Sequence, residues 1–186
     1  MLSYLLTSSS VEVLSTATKI LNYNGISVGD SFETSGRKKE LFQVEASVCA
    51  LPYLHEFPSA KIFHLINHPL ADIEFAVNSG WFSSEIPKTQ LEQFFYAQVW
   101  ELTGPYSQIS RACLWQIAFN NRIKQEASHL RYFPIRVGLD DFQVYDTEIL
   151  LKVAEPKFDL LQIDNRVLRN RMKEECAKFF GSVVQK

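Results

Sequence analysis

The chain has 186 residues, 46% of them hydrophobic and 22% charged, a composition typical of a globular protein long enough to bury one core. Its net charge of −2 provides no basic field for nucleic acid or an anionic membrane surface, and no window approaches the roughly 18 apolar residues of a transmembrane helix. We therefore expect a cytoplasmic protein with a single domain, 1–186, and neither a nucleic-acid nor a membrane partner.

The three cysteines, Cys49, Cys113 and Cys176, are far apart and form no CxxC pair or Cys/His cluster. This spacing argues against a structural zinc site or a disulfide framework. We expect buried, reduced thiols and no bound metal.

The first predicted elements are a strand, a loop and a helix. Leu2 to Leu6 is a short apolar run typical of a buried strand, and Thr7 to Ser10 follows as a loop. Ser9-Ser10-Val11-Glu12 matches the capping box S-x-x-E, in which Glu12 would satisfy helix amides and the helix dipole. Asn24-Gly25 supplies a C-terminal stop, and residues 26–43 are predicted to be loop with little regular structure.

The rest of the chain alternates helices with strands. The predicted order is a short helix over 51–57, a strand over 61–66, helices over 69–80, 87–104 and 106–128, a strand over 132–137, and helices over 147–154 and 166–183. The pattern predicts an α/β fold with a small parallel β-sheet flanked by helices and a helix-rich C-terminal half. Core positions include the aromatic residues Trp81, Trp100, Trp115, Phe94, Phe95 and Tyr96.

Four segments resemble the sulfotransferase family in order and spacing over nearly the whole chain. FPSAKIFHLINHPLADI (57–73) is similar to the family segment that reads approximately FPdAkfIhLvRhPlavi, and it carries most of the weight. KILNYNGISVGD (19–30) resembles "LLnalGvxlGd", ACLWQIAFNNRI (112–123) resembles "YWrxwNxxi", and FPIRVGLDDF (133–142) falls where "yhxvRyEdL" would be. The resemblance implies a three-layer phosphate-loop-type fold that binds 3′-phosphoadenosine 5′-phosphosulfate. It also implies transfer of the sulfo group to a hydroxyl or amine of a small-molecule or glycan acceptor.

The phosphate-loop residues of the family are not matched. Its loop reads roughly GxxRSGTT, and here Ser8 stands at the first Gly, Val11 at the Arg and Glu12 at the Ser. Glycine lets such a loop curl so that its amides converge on an anion, whereas β-branched valine resists positive φ. Two interpretations remain. Ser8, Ser9 and Ser10 could still hold a phosphate, or the serines and Glu12 could cap the helix and exclude it.

The second donor contact departs in the same way. In the family, the strand-end Arg of "vRhP" and a Ser about eight residues later hold the 3′-phosphate, and these positions are Asn67 and Phe75. Asn67 can donate a hydrogen bond but supplies no charge. Arg37, Lys38 and Lys39 are the cations that could replace the missing charge by folding over the strand ends, or they form a solvated patch.

Two residues could still act as a base. The "EKtP" segment of the family aligns with Glu45-Ala46-Ser47-Val48, so Glu45 is a candidate base while the lysine is lost. His68 follows a strand's carboxyl end, where open α/β sheets place ligands, but it could equally be a loop histidine. His64 is expected to be a hydrogen-bonded core residue.

Two functions follow from these observations. The chain could be a divergent sulfotransferase with a rebuilt donor pocket, or it could use the same scaffold for binding or assembly without catalysis. A homo-oligomer formed through the aromatic-rich helices is compatible with either function.

Overall fold

The computed structural model describes residues 1–38 and 40–136. Predictions for Lys39, for Cys176, for the helices over 147–154 and 166–183, and for most of the FPIRVGLDDF segment lie outside these residues. The described chain divides into two compact units, one made of 1–67 with 120–136 and the other of 68–119. The sequence predicts a single domain over 1–186, and each unit is described separately below.

The first unit is built on a five-stranded sheet in the order β2-β5-β1-β6-β7, with every neighbouring pair parallel. The strands are β1 (Tyr4–Thr7), β2 (Val28–Gly29), β5 (Val44–Ala46), β6 (Lys61–Ile66) and β7 (Arg131–Arg136). A separate antiparallel hairpin pairs β3 (Phe32–Glu33) with β4 (Gly36–Arg37). The predicted α/β class with a small parallel sheet is therefore confirmed.

Strands β1 and β6 occupy the centre of the sheet because their sequences are apolar on both faces. Leu5, Leu6, Ile62 and Leu65 are at most 1% exposed, as expected for strands of a parallel sheet that is covered on both sides. Strand β7 is the last strand of the described sheet. It contains Pro134, which has no N–H to donate, and proline is tolerated in edge strands because one side of such a strand has no neighbour to bond. The three predicted core strands are confirmed to within two residues at each end.

Residues 26–43 have little regular structure, as predicted, but they contain three two-residue strands, β2, β3 and β4, and β5 follows immediately. These strands are only two or three residues long, too short to show periodicity. Glu45 adds to the difficulty because it is a carboxylate at a fully buried position of β5. Buried acidic residues are rare in strands, so the segment does not resemble one.

Two helices belong wholly to the first unit. Helix α1 (Val11–Tyr23) ends at Asn24, and Gly25 takes a positive φ of 78°, as the predicted stop requires. A 3-10 helix (Val48–Glu56) replaces the short helix predicted over 51–57 and contains Pro52. Cys49, in this helix, is a buried free thiol as predicted, and burial raises its pKa to about 11.

The second unit is helical. It contains α2 (Pro69–Asn78), α3 (Gln90–Gln98), a short 3-10 helix (Trp100–Thr103) and the first part of α4 (Gln108–Ala127), which continues into the first unit. Pro69 opens α2 as predicted. The single helix predicted over 87–104 is instead α3 followed by the 3-10 helix, with the break at Val99.

An aromatic cluster forms the core of this unit. Trp115, Phe82, Phe95 and Phe119 are fully buried, and Trp81 packs edge-on against Trp115 with ring centroids 5.9 Å apart. Cys113 is buried and forms no disulfide, again as predicted. The prediction that Trp100 is a core residue is wrong, because its side chain is 75% exposed.

Gly29 allows β2 to lie against the carboxylate of Glu45. A Cβ atom at this position would lie 2.6 Å from Glu45 Oε1 and 2.5 Å from Phe42 Cδ2. We therefore expect Gly29→Ala to lower the free energy of unfolding by about 1–3 kcal/mol through overpacking, measured by urea denaturation. Amide exchange at Ser31 and Phe42, whose N–H groups bind Glu45, should accelerate as well.

Gly25→Ala is the matched control for this substitution. A Cβ at Gly25 meets nothing within 4 Å, so the change acts only through the positive φ. It should destabilise the protein without selectively exposing the Ser31 and Phe42 amides. Equal exchange rates at these amides in the two variants would refute the proposed contact.

Candidate functional site

The turn Ser8–Ser10 lies at the carboxyl end of β1. The chain first builds β2 and β5 on one side of β1, and it later builds β6 and β7 on the other side. Strand β1 therefore lies where the strand order reverses, which is the point at which open α/β sheets leave a crevice for ligands. This geometry makes the turn the natural candidate for a site in the first unit.

The three serines of this turn are at most 3% exposed, and their hydroxyls bind the protein itself. Ser8 Oγ donates to the carbonyl oxygen of Leu65 at 2.6 Å and accepts from the amide of Ser10 at 2.9 Å. Ser10 Oγ accepts from the amide of Val13 at 3.3 Å and caps α1. Two amides of the kind that a phosphate loop directs at an anion are thus already paired with side-chain oxygens.

Ser9 takes part in a longer chain of part-buried hydrogen bonds. Asn120 Nδ2 donates to Ser9 Oγ at 2.9 Å, and Asn120 Oδ1 lies 2.8 Å from His64 Nε2. On the other side of the imidazole, His64 Nδ1 lies 2.8 Å from the hydroxyl of Tyr132. The chain Tyr132–His64–Asn120–Ser9 links β7, β6, α4 and the turn.

The hydrogen bonds fix the state of His64. Because Asn120 donates through Nδ2, its Oδ1 must accept, so Nε2 of His64 carries the proton and the Tyr132 hydroxyl donates to Nδ1. Burial lowers the pKa of His64 to about 4, so the ring is neutral at physiological pH. The prediction of a hydrogen-bonded core histidine is confirmed.

Glu12 does not form the predicted capping box. The N-cap residue is Ser10, not Ser9, because the Ser9 hydroxyl binds Asn120 instead. Glu12 remains in the first turn of α1, where its charge favours the helix dipole. Burial raises the pKa of Glu12, which is the opposite of what a neighbouring cation would do.

Glu45, the predicted base, is fully buried and fastens the segment around β2. Its Oε1 accepts from Ser31 Oγ and from the amide of Phe42, and its Oε2 accepts from the amide of Ser31. Partial desolvation raises the pKa of nearby Asp30, a hydrogen bond from Ser47 opposes this, and the charge of Glu45 adds to it. Glu45 therefore serves as a hydrogen-bond acceptor for the residues around β2 and β5.

His68 caps α2 in the second unit. Its Nδ1 accepts from the amide of Leu70 at 3.2 Å, and burial lowers its pKa. The ring is therefore neutral, with its proton on Nε2. To accept a further proton at Nδ1, it would have to give up the cap.

The residues predicted to hold the 3′-phosphate supply no charge. Asn67 is buried directly after β6, and Phe75 packs edge-on against Trp81 with ring centroids 5.4 Å apart. The structure does not assign a ligand to either residue.

Arg37 and Lys38, the predicted replacement cations, bind other partners. Arg37 forms an ion pair with Glu56 at 3.1 Å and lies over the ring of Phe57. Lys38 forms an ion pair with Glu33 at 2.9 Å, and this hydrogen bond raises its pKa. Each cation is thus paired with a carboxylate, Arg37 with Glu56 of the 3-10 helix and Lys38 with Glu33 of β3.

Asn120 and Tyr132 are the residues of this site that sequence reasoning missed. Asn120 lies between the buried Phe119 and Ile123 on α4, and a polar residue in such a stretch is one signal of a buried contact. Its partner Ser9 is 111 residues away, and no local pattern identifies that pairing. Tyr132 carries no signal beyond its place in β7.

Comparisons with protein-family models, curated proteins and solved structures give no match for this chain. No helix among the described residues has the length and apolarity needed to cross a membrane. The same part of the chain contains no group of three His, Cys, Asp or Glu residues that could hold a metal ion.

Neutral, buried His64 should make stability depend on pH. Its folded pKa of about 4 lies below the ordinary 6.5, so the unfolded state binds more protons as the pH falls through this window. The stabilising contribution is complete above pH 6.5 and is lost between 6.5 and 4, by about 3 kcal/mol. Urea denaturation across this range should show the loss in the wild type and a flatter profile in His64→Gln.

His55→Gln is the control, because His55 is an exposed histidine of the same unit. Its profile should follow that of the wild type. If His64→Gln and His55→Gln give the same slope, His64 is not the buried neutral group described here.

Proposed function

We propose that the chain keeps a sulfotransferase-like, three-layer phosphate-loop-type scaffold, no longer binds the donor nucleotide, and acts as a non-catalytic binding or assembly protein. The observation that carries this proposal is the closure of the Ser8–Ser10 turn by its own hydroxyls, by Leu65 and by Asn120. All three serine hydroxyls, and the amides of Ser10 and Val13, which a phosphate would otherwise use, are bound by protein atoms.

The backbone of the turn supports the same proposal. Phe82 is the only non-glycine residue with positive φ in the described chain, so no residue of 8–12 adopts the left-handed conformation. A phosphate loop uses glycine to reach conformations in which several amides converge on one anion. Here the turn instead leads directly into the capped helix α1.

The charges of the first unit are a further argument that the donor nucleotide is not bound. The donor carries several negative charges, and a carboxylate 4 Å from one of them near a protein surface repels it by about 4 kcal/mol. Glu12 stands in the first turn of α1, and Asp30 and Glu45 lie on the neighbouring segments. The family's cations are replaced by Val11, Ala46 and Asn67.

The second candidate function is sulfo transfer from 3′-phosphoadenosine 5′-phosphosulfate to a small-molecule or glycan acceptor, with a rebuilt donor pocket. The position of His68 favours it, since His68 directly follows Asn67 at the carboxyl end of β6. The reaction would need a base to take the acceptor's proton, for which Glu45 and His68 are the candidates, and a cation to stabilise the leaving phosphate. Arg37 and Lys38 would have to leave their carboxylate partners to supply it.

Calorimetric titration with 3′-phosphoadenosine 5′-phosphate separates the two functions. We expect no binding to the wild-type protein, because the turn is closed and its surroundings are acidic. Micromolar binding would contradict the proposal and favour sulfo transfer.

Glu12→Gln shows whether charge or closure excludes the anion. The substitution removes one negative charge and leaves the serine hydrogen bonds unchanged, so we expect this variant also to remain without binding. Binding by Glu12→Gln alone would assign the exclusion to the carboxylate instead of the closed turn. Lys19→Gln, an exposed change of one charge on the same helix, is the control.

A further inference from the structure

Arg111, in the second unit, is a buried cation whose hydrogen-bonding capacity is only partly used. Its side chain, on α4, is 5% exposed. Nη1 donates to the carbonyl of Phe82 at 3.3 Å and Nη2 to the carbonyl of Gly104 at 3.2 Å, while Nε has no partner. A buried donor without a partner is costly, so such a group points to a ligand or a functional role.

The only carboxylate paired with Arg111 in the described chain is distant and largely in water. Glu85 Oε1 lies 3.5 Å from Nη2, and the side chain of Glu85 is 59% exposed. An exposed carboxylate is screened by solvent and compensates a buried charge poorly. Glu85 also engages only the Nη2 half of the Nε–Nη2 edge, the edge that can bind one carboxylate through two parallel hydrogen bonds.

Glu85 cannot easily move closer because its loop is fixed at several points. Glu92 accepts hydrogen bonds from the amides of Phe82, Lys88 and Thr89, and the hydroxyl of Tyr96 donates to the carbonyl of Ser84 at 2.7 Å. Phe82 itself is held at φ 58°, a conformation that is unfavourable for a bulky residue and persists only where the surroundings impose it.

Two exposed apolar side chains belong to the segments that Arg111 joins. Ile86, next to Glu85, is 77% exposed, and Tyr106 is 44% exposed. The ring of Tyr106 lies directly over Gly104, because a Cβ there would meet Tyr106 Cε2 at 2.3 Å. Arg111 binds the carbonyl of this same glycine.

We infer that Arg111, Glu85, Ile86 and Tyr106 form a binding site for a small organic carboxylate with an apolar body. The ligand's carboxylate displaces Glu85 and binds Nε and Nη2 of Arg111 together, while its apolar part covers Ile86 and Tyr106. A carboxylate is the fitting head group because it is the group already present in Glu85, and its planar shape matches the guanidinium edge. This inference concerns the second unit alone and does not depend on the state of the Ser8–Ser10 turn.

Titration of the full chain with hexanoate tests the inference. The readout is the Arg111 Nε–H resonance in ¹⁵N–¹H spectra, which reports on the donor that the ligand is expected to bind. Hexanoate should shift this resonance saturably at millimolar concentration. Hexanamide has the same size and no charge, and it should bind at least about tenfold more weakly.

Two variants that each remove one negative charge test whether Glu85 competes with hexanoate for Arg111. Glu85→Gln removes the competing carboxylate and should tighten hexanoate binding by about two- to fivefold. Glu126→Gln removes the same charge fifteen residues further along the sequence of α4, outside the second unit, and should leave the affinity unchanged. Ile86→Ser should weaken binding by removing apolar contact without altering the charge.

Arg111→Met removes the Nε–H group, so hexanoate binding to this variant is measured from the methyl resonances of Ile86. Its affinity for hexanoate should be at least about tenfold lower than that of the wild type. If that variant does not fold, the Glu85→Gln comparison decides on its own. The inference is overturned if hexanoate does not shift the Nε–H resonance saturably, if hexanamide binds equally well, or if Glu85→Gln leaves the affinity unchanged.

Discussion

The hydroxyl of Ser8 connects the two central strands of the sheet at their carboxyl ends. It donates to Leu65 of β6 and accepts from the amide of Ser10, so it both joins β1 to β6 and sets the start of α1. A hydroxyl can do both because it is a donor and an acceptor, whereas a glycine at this position would leave the Leu65 carbonyl and the Ser10 amide to find other partners. The two neighbouring serines make separate contacts, Ser10 with the cap of α1 and Ser9 with Asn120, which binds His64.

A neutral hydrogen-bond chain leads from the Ser8–Ser10 turn to β6 and β7. Tyr132, His64 and Asn120 satisfy one another without any formal charge, and burial keeps His64 neutral. Inside a protein such a chain is stabilising when each member is paired, and it becomes costly when one partner is removed. An anion at the Ser8–Ser10 turn would have to break several of the serine hydrogen bonds, and the charged side chain in the first turn of α1 is the carboxylate of Glu12. The hydrogen-bonded turn and the charge of Glu12 therefore both disfavour an anion.

The sequence predicted those features that depend on local pattern. The apolar runs of β1 and β6, the proline that opens α2 and the Asn24-Gly25 stop all follow from short-range stereochemistry, and they were found where expected. Strand β5 was missed because it has three residues and a buried carboxylate at its centre. The choice between Ser9 and Ser10 as the cap also escaped local analysis, because adjacent serines offer the same chemistry and the partner that decides between them is Asn120, 111 residues away.

Arg111, in the second unit, also shows which features local sequence patterns can predict and which they cannot. It lies on the helix face of α4 that carries Trp115 and Phe119, and an arginine among large apolar residues is a recognisable signal. Which carbonyls it binds, and how little of its charge is compensated, depend on the loop at Phe82 and the turn at Gly104, both set by tertiary contacts. In the first unit the serine hydroxyls of the turn and the imidazole of His64 have hydrogen-bond partners within the protein, while the buried hydroxyl of Thr7 beside the turn has none. In the second unit the unpaired donor belongs to a buried cation, and such a donor has more to gain from a ligand than serine hydroxyls whose hydrogen bonds are already made.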